Sequence, residues 1–324
     1  RAEAAKSGKL LGLGIACFLE TARGAPSEGA EVKFLADGTV ELRLGTESNG
    51  QGHETAYSQI AADRFGLPLD SFRYIQADTA LVRAGNGGAR SMHMGGSALV
   101  AAIEAALAKA RPIAAQMLQA DEAALEFSIG EFSLAGSGRS VSLLEVAAAA
   151  RDPKMAGESL DSYERREDAP FTLPSGSHVA EVEIDRDTGA MRLTRYLMVD
   201  DYGAMINPRL TEGQVHGGVT QGIGQAMWEE VAYDPDTAQL LSGTLMDYTV
   251  PRAAHLPSFE VHFRQTPTLN NPLGVKGSGQ AGCIGAPQTV MAAVLDALKP
   301  LGITDIDMPA TSERLWRAIK GAGQ

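Results

Sequence analysis

Gly274, Gly277, Gly279, Gly282 and Gly285 fall in one short segment with Lys276, Ser278 and Gln280, just ahead of a run with helical spacing. Backbone this rich in glycine can lie against a bound group and aim its N–H donors at an anion. Lys276, Gly277, Ser278 and Gly279 are therefore candidate cofactor-holding residues, although Lys276 also fits an ordinary surface lysine and Gln280 a satisfied amide. Three more glycine segments carry similar chemistry. In Gly50-Gln51-Gly52-His53 an amide stands at a helix start, where unpaired N–H groups are available; the bland alternative is a strand-to-helix turn with Gln51 and His53 solvated. In Gly85 to Ser91 the loop ends on Gly88, Ala89, Arg90 and Ser91 before a long helix. It reads either as a surface loop or as an anion cradle, with Arg90 adding charge or tying the loop to a carboxylate. In Gly217 to Gln225 a helix holds several glycines beside Gln221 and Gly222. Each costs roughly 1 kcal/mol relative to Ala, so the backbone there must approach something, either another helix or a cofactor.

Other chemistry finds less support. The histidines are dispersed and form no metal pair at helical spacing, and no Gly-x-Ser-x-Gly elbow occurs. The loop before Ser91 lacks the Gly-Lys-Ser/Thr of a phosphate loop and the spacing of a dinucleotide fingerprint. Cys17 and Cys283 are too few and too scattered for an iron–sulfur cluster or a zinc site. No metal ligands are assigned. Asp200-Asp201 reads as a strand end, and Glu229-Glu230 as a helix end or a solvated pair.

The positioning elements form a repeated order. A strand at 11–19 comes first, then a hairpin turning at Asp37-Gly38, a helix from Glu54 to Phe65 stopped by Gly66, a strand at 72–76 and an alanine-rich helix at 97–118. The second half has a hairpin at 179–199, a helix at 212–228, a strand at 258–264 and a helix at 284–298. Two β-β-α-β-α units imply an α+β fold with two lobes, each a mixed sheet with packed helices, divided as 1–150 and 151–324. Residues 120–175 read as the connection, with one short helix at 143–150.

The chain has 324 residues, 44% hydrophobic and 21% charged, with net charge -12. That charge argues against nucleic acid or an anionic membrane surface as partner. No run approaches the ~18 apolar residues of a membrane span. With two cysteines and no apolar leader at Arg1, the expected location is cytoplasmic, and the missing initiator Met suggests a fragment or a processed subunit.

Taken in order, these segments resemble the C-terminal half of the molybdopterin-binding large subunit of the xanthine dehydrogenase and aldehyde oxidoreductase family of molybdenum hydroxylases. The resemblance rests on Gly50-Gln51-Gly52 with Gln59-Ile60-Ala61-Ala62, Asp78-Thr79 with Gly88-Ala89-Arg90-Ser91, Asn207-Pro208 with Gln221-Gly222-Ile223-Gly224, and Lys276 to Gln280 with Gly285-Ala286-Pro287. It implies an oxidoreductase with a molybdopterin carrying molybdenum, in cytosine dinucleotide form, acting on an aldehyde or N-heterocyclic small molecule with water as oxygen source. Gln51 and Gln221 would hydrogen-bond the cofactor, and the loops at 88–91 and 276–279 would hold pterin and phosphate. Iron–sulfur clusters and FAD are expected on partner subunits, and the other half of the large subunit must complete the site. At the position of the family's catalytic glutamate stands Gln280, which is neutral and cannot act as a general base. An engineered variant, a member with a relocated base and a catalytically impaired cofactor-binding scaffold all remain open.

Overall fold

The structure, a computed structural model, describes residues 2–23, 27–76, 78, 80–81, 88–155, 158–167 and 171–322. Thr79 and Gly85 to Gly87 of the sequence motifs lie outside them. The chain opens with α1 (Ala2–Lys6) and β1 (Lys9–Leu19). A first unit follows: β2 (Glu28–Phe34), β3 (Val40–Leu44), α2 (His53–Phe65), β4 (Phe72–Ile75) and α3 (Gly96–Leu118), the last entered through a wider helical turn at Ser91–Gly95. Then come β5 (Leu125–Ser128), β6 (Glu131–Leu134), β7 (Arg139–Ser142), α4 (Leu143–Ala150) and β8 (Ser162–Arg166). The second unit is β9 (Ser175–Asp185), β10 (Met191–Asp201), α5 (Pro208–Met227), β11 (Phe259–Phe263) and α6 (Ala281–Leu298), before α7 (Ser312–Ala322).

Local chemistry accounts for the ends of these elements. Gly66 stops α2 in the left-handed conformation that only glycine adopts cheaply, its N–H returning to the Ala62 carbonyl. Asn207 caps α5 by accepting from the Leu210 N–H at 3.0 Å, with Pro208 at the first helical position. Ser142 and Glu145 close a reciprocal cap on α4.

The expected α+β fold with two mixed, helix-covered sheets is what the structure has. One sheet runs β4-β3-β2-β8 and the other β11-β10-β9-β1. Each contains an antiparallel hairpin, a parallel strand beside its second member, and an antiparallel fourth strand beside its first. The fourth strands are exchanged. β1, from the first half of the chain, completes the second sheet, and β8, from the second half, completes the first. A division at residue 150 therefore does not follow the sheets.

Residues 120–175 are more than a connection. α4 lies where expected, but β5, β6 and β7 form a third small sheet, with Phe127 against Phe132. Separate cores fill the two units: Leu42, Tyr57, Phe65, Leu99 and Ile103 in the first, and Ile184, Tyr196, Met198, Val219 and Val290 in the second. α6 lies so close on β1 that a Cβ at Gly14 would stand 2.1 Å from the Thr289 carbonyl oxygen. Residues 281–301 are in fact long and apolar enough to cross a membrane, contrary to the sequence expectation. Their apolarity is consumed in packing on β1, β9 and α5, where Ala286, Val290, Ala293 and Val294 are buried.

Candidate functional site

A cleft of about 680 Å³ lies where the two units meet, and the starts of four helices reach it. Gln51 and His53 come from the start of α2, Ser91 and Met92 from the turn into α3, Asn207 and Thr211 from α5, and Gly279 and Gln280 from α6. Each helix start offers unpaired N–H groups and about half a positive charge. A group lining this cleft is thus met by donors from both copies of the duplicated unit, an arrangement suited to phosphate.

Buried polar contacts hold these starts in register. The Tyr57 hydroxyl donates to the Ser91 carbonyl at 2.8 Å and meets Thr46 Oγ1 at 2.6 Å, which fixes the second glycine segment to α2. Asn207 Nδ2 donates to Gln59 Oε1 at 2.9 Å and so ties α5 to α2 across the units. The segment at 274–279 runs beside the residues following β10: the Lys276 N–H donates to the Tyr202 carbonyl at 2.8 Å. Lys276 Nζ reaches Asp201 at 2.6 Å. Burial alone would raise the Asp201 carboxyl, but Lys276 and the N–H groups of Gly203 and Thr266 outweigh it and hold it below its ordinary range. Asp201 is thus more than a strand end: it anchors the lysine.

Most of the expected site residues line the cleft: Gly50, Gln51, His53, Gly88, Ala89, Ser91, Lys276, Gly277, Ser278, Gly279 and Gln280. Gly277 lets the segments at 88–91 and 276–279 touch, since its Cβ would fall 2.4 Å from the Ala89 carbonyl oxygen. The Gln51 side chain folds back on its own loop, donating to the Glu47 carbonyl at 3.2 Å and accepting from the Asn49 N–H. Burial holds the neighbouring His53 below its ordinary pKa, against an opposing contact with the Thr46 carbonyl.

Arg90, Gly52, Gln221 and Gly222 do not line this cleft. Arg90 turns inward and pairs with buried Glu28 at 2.9 Å, the carboxylate-tying role left open by the sequence. Burial raises the Glu28 carboxyl and Arg90 opposes the shift. Gly52 is the left-handed residue before α2, packed on Leu210. Gly222 serves helix packing: its Cβ would stand 2.7 Å from the Ala286 Cβ and 2.8 Å from the Cys283 carbonyl oxygen. Gln221 lines a second cavity of about 630 Å³ with Gln225, Gln288, Cys283, Ile284, Met291 and Met308. Gln280 borders both cavities, exposed at the start of α6, and its amide makes no capping hydrogen bond.

Sequence reasoning missed the floor of the second unit. His178 Nδ1 meets the Tyr196 hydroxyl at 2.8 Å and its Nε2 meets Asp200 Oδ1 at 3.1 Å. The Tyr202 hydroxyl donates to Asp200 Oδ2 at 2.8 Å, and Tyr202 itself lines the cleft. All four are buried, and burial raises both tyrosines well above the ordinary phenol range. Gly285, read in the sequence as part of a ligand loop, gives room to this histidine, its Cβ position lying 2.7 Å from His178 Nδ1. A lone histidine and a tyrosine on alternating strand positions carry no motif, so only the pairing of β9 with β10 reveals them.

Comparison with known proteins adds an independent observation. Residues 1–257 match the family model described as "Molybdopterin cofactor-binding domain". The chain is 35% identical over 327 residues to the carbon monoxide dehydrogenase large chain of Hydrogenophaga pseudoflava, covering 96% of this chain and 41% of the relative. It is 36% identical over 340 residues to the nicotine 6-hydroxylase large subunit of Paenarthrobacter nicotinovorans, covering 98% and 41%. Among solved structures, a Cu,Mo-CO dehydrogenase in its carbon monoxide reduced state matches with TM-score 0.92 and 33% identity, over 99% of this chain and 43% of that one. The chain thus spans about two fifths of the length of these relatives.

Proposed function

The chain belongs to the molybdopterin cofactor-binding domain family, and from that premise we propose that it is part of the large subunit of a molybdenum hydroxylase acting on an aldehyde or an N-heterocycle. The observation that carries this is the cleft ringed by four helix starts, whose wall at Gln280 it shares with a second, amide-lined cavity. The cleft fits a phosphate-bearing pterin in size, within the roughly 300–1,000 Å³ of small-molecule sites, and in donors, with a glycine cradle at Gly277 that a side chain would fill. We assign it the molybdopterin in cytosine dinucleotide form. The Ser91 and Ser278 hydroxyls and the N–H groups at the start of α6 take the phosphate end. Gln51, released from its own loop, and Gln221, from the second cavity, take the pterin end.

When bound, the molybdenum cofactor supplies a two-electron oxidation with water as the oxygen source. The chain's own contribution at that point is Gln280. Its amide can orient a water by hydrogen bonding but cannot take a proton from it, which a carboxylate there could do. This favours a second reading, a cofactor-holding chain with impaired turnover. Both readings need the complementary part of the large subunit, an iron–sulfur subunit and an FAD-bearing subunit, in the cytoplasm.

Metal analysis and turnover of the assembled enzyme test the assignment. Molybdenum and molybdopterin should be present. Gln280→Glu should raise hydroxylation by roughly 10²–10⁴-fold, the span of a general base. That gain would identify the chain with Gln280 as an impaired form, by divergence or by engineering, whereas turnover unchanged by Gln280→Glu would place the base elsewhere. An assembled enzyme without molybdopterin would overturn both readings.

A further inference from the structure

The duplicated units differ sharply in one connection. In the first, α2 runs to β4 through residues 66–71; in the second, α5 runs to β11 through residues 228–258. The longer connection has defined internal bonding. Its tip folds back with Leu241 N–H donating to the Ala232 carbonyl and Tyr248 N–H to the Thr244 carbonyl, both at 2.8 Å. Its root is anchored: Glu229 accepts from the Tyr248 hydroxyl at 3.2 Å, Glu230 pairs with Arg314 at 2.5 Å, and Trp228 lies against His255. Yet its large apolar side chains point outward. Val231, Tyr233 and Leu241 are exposed, Leu245 is 77% exposed and Met246 is 93% exposed. An ordered arm with bare apolar tips marks an interaction surface.

We propose that residues 229–250 are the surface onto which the remaining part of the large subunit docks, in contact with the second cavity. This rests on the functional reading above. Two observations select the occupant. The relatives' chains are more than twice as long as the matched part, so a larger body must pack against this one. The arm also leaves α5 directly after Gln221 and Gln225, which wall the cavity bordering Gln280, so the root of the docking surface is carried by the helix that walls this cavity. Asp236 and Asp247 are exposed around the apolar tip, which calls for a docking face with an apolar centre and basic rim.

The test uses the assembled enzyme with Met246→Cys, in a Cys17→Ser background, carrying a benzophenone label. Cross-linked peptides should come from the remaining part of the large subunit. Peptides from a second copy of this chain, from the iron–sulfur or flavin subunit, or no cross-link at all, would overturn the docking. Separately, Leu245→Glu with Met246→Glu should lower the yield of assembled enzyme at least tenfold. Leu69→Glu, at a 54% exposed residue of the short connection in the first unit, should leave it unchanged. Equal yields for the two would also overturn the docking. Molybdopterin assay of the unmodified enzyme separates the two claims: cofactor present without cross-link removes the docking alone, and cofactor absent removes the functional reading.

Discussion

The two units share strand order, hairpin and helix placement, yet they face their surroundings in opposite ways. The outer face of the first sheet is charged, with Arg43 pairing Glu31 at 3.1 Å and Glu41 at 2.6 Å, and Arg73 also held by Glu41. On the second sheet the corresponding face of β1 presents Leu13, Ile15 and Leu19, with Val199 beyond them on β10, all exposed. The interiors invert the pattern. His93, buried in the first unit, has no hydrogen-bond partner for either ring nitrogen among the described residues. His178, buried in the second, has two. Strand topology thus decides where the helix starts converge. Which face is wet, and which buried polar group is satisfied, is decided position by position.

The strongest way to break the comparison is to treat the units as separable. Fragments 1–150 and 151–324, produced apart, should fail to give cooperative urea transitions, since each lacks its fourth strand; mixing them should restore folding. Independent cooperative folding of either fragment would show that the exchanged strands are dispensable.

A finer cut compares buried polar groups. Asp200→Ala removes one of the two partners of His178 and the acceptor of the Tyr202 hydroxyl, and should cost about 3 kcal/mol. Thr46→Ala removes one partner of Tyr57 and should cost about 1 kcal/mol. Urea midpoints measure both, and equal losses would mean that the second unit's network is no more demanding than the first's.

A third comparison lies in pH. Burial lowers His93 from 6.5 to about 4; the Ala89 carbonyl pulls the other way without reaching hydrogen-bond geometry, and Arg90 adds to the lowering. The unfolded chain therefore takes up this proton first as pH falls. Stability from His93 is complete above pH 6.5 and declines towards pH 4 by roughly 1.4 kcal/mol per unit. His93→Gln should flatten that part of the wild-type profile, measured by thermal melts across the range. Identical slopes would show that the histidine is not titrating there.

Much of this was legible in the sequence, for reasons that particular residues make plain. Asp37-Gly38 and Asp187-Thr188-Gly189 announce hairpins because their turns need those residues, and Gly66 announces a helix end. Each of the four glycine segments offers a ligand loop beside a plainer alternative, and three of them meet at the cleft. In the remaining one, the Gly222 position serves helix contact, the bland alternative the sequence left open. Strand exchange left no local trace: the alternation of β1 says that one face is buried, not that its neighbour is β9. The strands β5 to β7 are four residues each, too short for their period to stand out. Ala and Gly disguise the apolar run at 281–301, whose small side chains suit close packing.

The exchanged strand also sets a schedule. Lys9 and its partner Asp185 stand 176 residues apart. At roughly 5–20 residues per second of synthesis, β1 leaves the ribosome on the order of ten seconds or more before β9 exists. Throughout that interval a strand with apolar residues on both faces is unpaired, within reach of neighbouring nascent chains. Among the described strands β1 is made first, yet its pairing has to wait for one of the later ones.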